Sequence, residues 1–150
     1  MDFKFLVLTD PHFFDTDLGC SGPDYEDFMH YEQKCFAETE AINNSIFDYL
    51  CNTDKTDTVL IAGDLSFNGE KESHLGFIKL LEKLQNSGKR VYVITAGHDF
   101  NEQCRGYDDN GIHPVEATKR EELFDLYYEY GFKDAIAVDK KHLSYVAQLC

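Results

Sequence analysis

Five side chains in this sequence could do chemistry together: Asp10, His12, Asp64, His98 and Asp99. Asp10-Pro11-His12 offers a carboxylate and an imidazole two positions apart, which in a strand would put both on one side. That pair suits Mn, Fe or Zn as a shared cation better than Ca. Asp64 could bridge the first cation to a second. Two metals roughly 3.5–4 Å apart activate water and clamp both ends of an in-line displacement at phosphorus. His98 would then stand beside the leaving oxygen as general acid, with Asp99 orienting it.

The elements that must position these groups are three apolar runs. Phe3–Thr9 reads as a strand and leads directly into Asp10-Pro11-His12. Val59-Leu60-Ile61-Ala62 reads as a buried strand, and Gly63-Asp64 follows. Arg90–Thr95 reads as a third strand, followed by Ala96-Gly97-His98-Asp99. Helical spacing separates them. Over Tyr31–Leu50 a stripe of Cys35, Thr39, Ile42, Ile46 and Tyr49, widened by Phe47 and Leu50, predicts one helix. Over Glu70–Asn86 the stripe Leu75, Ile78, Leu81 and Leu84 predicts another. Strand–helix repeats of this kind predict an α/β fold around a mainly parallel sheet with right-handed crossovers. Open sheets of that class bind ligands at the carboxyl ends of their strands, where all five residues fall.

The remaining segments carry weaker patterns. Phe13–Tyr31 and Phe100–Thr118 read as long loops. Thr118 and Glu121 read as a capping box opening a helix that Gly131 ends. Leu143–Leu149 alternates as a strand does.

Composition narrows the classes. The chain has 150 residues, which suits one domain, and its 43% apolar and 28% charged content is that of a globular protein. A net charge of −14 disfavours nucleic acid and anionic membranes, and means that a phosphate-handling site would need bound cations. Five widely spaced cysteines, Cys20, Cys35, Cys51, Cys104 and Cys150, read as free thiols of a reducing compartment. Met1-Asp2 leads into a strand with no leader pattern, and no apolar run reaches the roughly 20 residues that span a bilayer. A cytoplasmic setting is expected.

Taken together, Asp10-Pro11-His12, Gly63-Asp64 and Gly97-His98-Asp99 resemble the successive motifs of the calcineurin-like metallophosphoesterases, and the run GDLSFNGEKESH from Gly63 to His74 is similar to a bacterial branch of that family. The resemblance covers the whole chain and implies the first half of a four-layer α/β/β/α sandwich, with residues 1–150 as one domain, the N-terminal part of a longer catalytic one. It implies two divalent metals, a small phosphate mono- or diester substrate, Asp10, His12 and Asp64 as ligands, and His98 as acid. The sequence departs from the family at Gly97, where the family carries an Asn that ligates the second metal. The family's later His and Gly-His-x-His motifs do not occur in the chain. A sheet edge left open by such a half-domain would invite a homo-oligomer.

Other readings stand beside this one. A metal-binding or purely structural α/β module without catalysis would explain Gly97. A nucleotide-binding doubly wound domain lacks its glycine-rich loop, since Asp10-Pro11-His12 occupies that place. Asp64 alone could be a helix cap. His74 is expected to pack or cap on its helix, and His30, His113 and His142 to lie away from the site.

Overall fold

A computed structural model describes residues 3–149. The expectations for Met1, Asp2 and Cys150 lie outside the described residues. Three strands, β1 (Leu6–Leu8), β2 (Thr58–Ala62) and β3 (Arg90–Ile94), form a parallel sheet in the order β1-β2-β3. Val59 pairs with Leu6 on one side and with Val91 on the other. Helix α2 (Thr39–Asn52) crosses from β1 to β2, and α3 (Lys71–Asn86) crosses from β2 to β3. This is the mixed α/β architecture that the strand–helix repeats predict.

One face of the sheet carries the core. Val59, Ile61, Val91 and Val93 pack there against Phe47 and Leu50 of α2 and Phe77, Leu81 and Leu84 of α3, all buried. Val7 and Ile94, on the other face, are 55% and 46% exposed. The uninterrupted apolar strands therefore do not mean helices on both faces. Part of the outer face is met by Tyr145, whose hydroxyl donates to the Val93 carbonyl at 3.0 Å.

Several boundaries differ from expectation, each for a local reason. The first helix of the sequence reading begins at Thr39, not Tyr31. The Thr39 Oγ1 is instead drawn into the connection before it, where it accepts the Phe14 N–H at 3.0 Å. Its buried stripe is Thr39, Asn43, Phe47 and Leu50; Thr39, Phe47 and Leu50 match the expectation, while Ile42 and Tyr49 face solvent. On α3 the buried face is Ser73, His74, Phe77, Leu80, Leu81 and Leu84, and Leu75 lies outside it.

The two expected loops contain structure. Pro23–Tyr31 is helix α1, opened by Pro23 in its first turn, with Tyr25, Phe28 and Met29 at helical spacing. β4 (Arg105–Asp108) and β5 (Gly111–Pro114) form a hairpin around Asp109-Asn110. Helix α4 (Arg120–Leu126) starts one residue later than the expected box. The Lys119 N–H donates to Glu122, while the Thr118 N–H is taken by the Gly69 carbonyl. β6 (Ala135–Asp139), which the sequence did not suggest, pairs antiparallel with β7 (Ser144–Ala147), so the C-terminal strand joins a hairpin and not the parallel sheet.

Candidate metal centre

The segments following β1 and β2 leave the sheet side by side. The N–H groups of Asp10, His12 and Phe13 donate to the carbonyls of Gly63, Asp64 and Leu65 at 3.3, 2.9 and 2.9 Å. This ladder brings Asp10, His12 and Asp64 to one point. Helix α2 pins it from behind, because the buried Asn43 amide donates to the Pro11 carbonyl at 2.9 Å.

The side chains converge through backbone turning, not through the strand alternation expected for Asp10 and His12. Asp10, His12 and Asp64 have φ of 52°, 42° and 51°. Left-handed backbone is costly for residues with a Cβ, on the order of 1–3 kcal/mol each, and such conformations cluster at functional sites. Gly63 makes the turn at β2 possible. It has φ of 77°, and a Cβ there would stand 2.5 Å from the Ala96 Cβ.

The His12 Nε2 lies 4.0 Å from the Asp10 Oδ1 and 3.9 Å from the Asp64 Oδ2. One ligand atom from each residue lies within 4.8 Å of the others. These separations are too long for hydrogen bonds. They are near the spacing of donors around an ion with metal–ligand distances of about 2.0–2.2 Å. The His12 Nδ1 is buried without a partner. Burial, and next the charge of Lys34, hold the His12 pKa below its usual value, which keeps the ring neutral and able to ligate. Two carboxylates and a neutral imidazole, converged without bonding one another, fit a divalent cation.

His98 joins this group. Its backbone N–H donates to the Asp64 Oδ1 at 3.0 Å, fixing the carboxylate so that Oδ2 faces His12. Its exposed ring stands edge-on to the His12 ring, with centroids 5.0 Å apart and planes at 86°.

Asp99 points the other way, which corrects its expected role of orienting the His98 ring. Its carboxylate is fully buried and accepts the N–H groups of Leu65, Ser66 and Ala96 at 2.7, 3.0 and 2.7 Å. It ties the loop after β2 to the loop after β3. Burial pushes its pKa up to about 6, against the pull of those donors. Below it, the buried His74 bridges the Asp99 carbonyl through Nε2 at 2.8 Å and the Tyr127 hydroxyl through Nδ1 at 2.6 Å. His74 thus packs, as its helical position suggested.

Sequence reasoning missed Asn43, Ser66 and Lys34. A polar residue in an apolar helical stripe was the available signal for Asn43. Ser66 Oγ donates to the His98 carbonyl at 3.1 Å and accepts the Gly69 N–H at 2.9 Å, contacts that only the folded loops reveal. His113 sits on β5 beside Asp108, and His142 bonds Asp139 in the β6–β7 turn. Neither belongs to the centre.

No curated protein matches the chain significantly. A family model described as calcineurin-like phosphoesterase matches residues 3–147. That match spans nearly the whole length and takes in every strand-end residue of the centre, so the chain belongs to the calcineurin-like phosphoesterase family.

Proposed function

We propose that the protein hydrolyses phosphate mono- or diesters with water, using two divalent cations from among Mn, Fe and Zn. Family membership supports phosphoester hydrolysis with divalent metals in general. The observation that carries the reading is the convergence of Asp10, His12 and Asp64 within 4.8 Å. Bound cations would supply Lewis acidity at phosphorus and a water nucleophile usable near neutral pH.

The chain's own residues divide the remaining work. Asp10, His12 and Asp64, the last steadied by the His98 N–H, would hold the cations. His98 protonates the departing alcohol oxygen from its exposed position beside His12. Asp99 keeps His98 in place through the backbone. The four described cysteines are free, which fits a reducing, cytoplasmic setting. No described helix is long and apolar enough to cross a membrane. The sheet edges at β1 and β3 offer a route to a homo-oligomer.

A second reading, a metal-binding module without turnover, is favoured by one observation. Gly97 has no side chain where the family's second-metal Asn would stand.

The test is Mn²⁺ calorimetry with parallel hydrolysis of bis(p-nitrophenyl) phosphate. Asp64→Asn is expected to weaken Mn²⁺ binding by more than about 100-fold and abolish turnover, since even outer partners of a ligand are worth 10–100-fold. His98→Ala is expected to leave Mn²⁺ binding intact and lower kcat by about 10²–10⁴-fold. Binding without turnover in the wild type would establish the second reading. Unchanged binding in Asp64→Asn would overturn both.

A further inference from the structure

Beside the metal centre lies a second cavity, of about 180 Å³, lined by Phe28, Phe36, Phe67 and Tyr107 with Lys34 and His98. Its volume is below the roughly 300–1,000 Å³ of pockets for drug-sized ligands, so it has room for a single ring and little more. The aromatic residues come from α1, the α1–α2 connection, the loop after β2, and β4. They pack on one another, with Phe28 stacked on Tyr107 at 5.3 Å and Phe36 edge-on to Phe67 at 4.5 Å. Phe67 is shared with the metal centre, its ring centroid 6.4 Å from that of His12.

Lys34 gives this cavity its polarity. Its ammonium lies 4.7 Å from the Phe67 centroid, over the ring. Among the described residues no carboxylate forms a salt bridge with it. Arg105 lines the cavity as well. The two acids there, Glu32 and Glu70, are turned to other partners. Glu32 accepts the N–H groups of Gln33 and Lys34, and Glu70 accepts the Asn68 N–H. Burial holds the Glu70 carboxyl above its usual range, against the pull of the Lys34 charge. In a chain of net charge −14, a lysine held over an aromatic face, in no salt bridge among the described residues, is a counter-charge for an anion.

We propose that this cavity is the leaving-group subsite, taking the flat aromatic group of an aryl or heteroaryl phosphate ester while Lys34 pairs with the phosphoryl oxygens. This rests on the hydrolase reading above and adds its substrate class. Lys34 would compensate in part for the side chain that Gly97 lacks. Aliphatic phosphate esters would reach the metals but leave the aromatic walls unfilled.

The test uses the Mn²⁺-loaded protein and two non-hydrolysable probes, phenylphosphonate and methylphosphonate, titrated by calorimetry. Phenylphosphonate is expected to bind about tenfold more tightly, the size of one good aromatic contact. Phe28→Leu, which keeps apolar volume but loses the flat face, is expected to reduce that preference to under about threefold without altering methylphosphonate affinity. Lys34→Ala is expected to weaken both probes by about 10–100-fold, and Lys34→Arg to retain most of the affinity. Equal affinity for the two probes in the wild type would overturn the subsite, as would a preference untouched by Phe28→Leu or affinities untouched by Lys34→Ala. Hydrolysis of phenyl phosphate is measured in parallel. Probe discrimination without hydrolysis would sink the hydrolase reading and support the subsite, and hydrolysis without discrimination would do the reverse.

Discussion

The metal centre and the aromatic cavity share Phe67 as a wall, yet they are built in opposite ways. The centre is local. Asp10 and His12 come from one short segment and Asp64 from the next, and adjacent parallel strands deliver them to one edge. Its residues are polar and strained, with left-handed backbone at all three ligands. The cavity is dispersed. Its rings come from four segments with no common spacing, and they are held by ordinary packing. On the proposed reading, the cation would sit at the rigid sheet edge, and recognition would fall to loops and a small helix that can vary without disturbing Asp10, His12 and Asp64.

The largest blow to this comparison would be Phe36→Ala. Phe36 is 1% exposed and touches Phe14, Phe28, Phe67 and Tyr107, so its loss is expected to destabilise the protein by about 3–5 kcal/mol. Mn²⁺ affinity of the folded protein should change less than about threefold if the centre is as independent as its local construction implies. A parallel loss of Mn²⁺ affinity, by urea titration and calorimetry on the same sample, would show that the two regions are one unit.

A change of intermediate size probes the support beneath the centre. Asp99 has a folded pKa of about 6, above its ordinary 3.8, so its contribution to stability is present at low pH and lost as pH rises through 4 to 6. His74 has a folded pKa of about 4, below its ordinary 6.5, so its contribution is present above 6.5 and lost as pH falls toward 4. The two slopes oppose each other in the same window. In the metal-free wild type they are expected largely to cancel. His74→Gln removes one slope, and stability should then fall by up to about 3 kcal/mol as pH rises from 4 to 6. Urea midpoints across that range measure it, and a rising slope in the variant would contradict the assignment.

The smallest expected effect is Gly97→Asn. A Cβ at Gly97 meets no atom within 4 Å, and its φ is not in the left-handed range, so stability should move by less than about 0.5 kcal/mol. The amide would stand on the open side of the centre, and a second Mn²⁺ should bind about tenfold more tightly. An unchanged Mn²⁺ isotherm would mean that the Gly97 side of the loop does not face a second ion.

Much of the centre could be read directly from the residues. Asp10-Pro11-His12, Gly63-Asp64 and His98 are short motifs at the ends of apolar runs, and parallel neighbours must bring such ends together. The role of Asp99 could not be read this way, because adjacency in sequence says nothing of whether a side chain points to the ring beside it or into the core. Glycine and proline cues for α1 and the β4–β5 hairpin were present at Pro23 and at Asp109-Asn110-Gly111, but both elements are short, and the apolar side of α1 is only Tyr25, Phe28 and Met29. The alternation of Leu143–Leu149 announces β7, but no local pattern announces β6, which forms by pairing with it.

By itself, then, the sequence determined the parallel strands, the crossover helices and which carboxylates and imidazoles gather at the strand ends, because each follows from residue type and short-range spacing. Only the tertiary structure decided which face of α2 is buried, that Asp99 braces two loops, and that Phe28, Lys34, Phe36, Phe67 and Tyr107 enclose one cavity. Those outcomes depend on contacts between residues far apart in the chain, where burial and packing choose among arrangements that local propensity leaves equal.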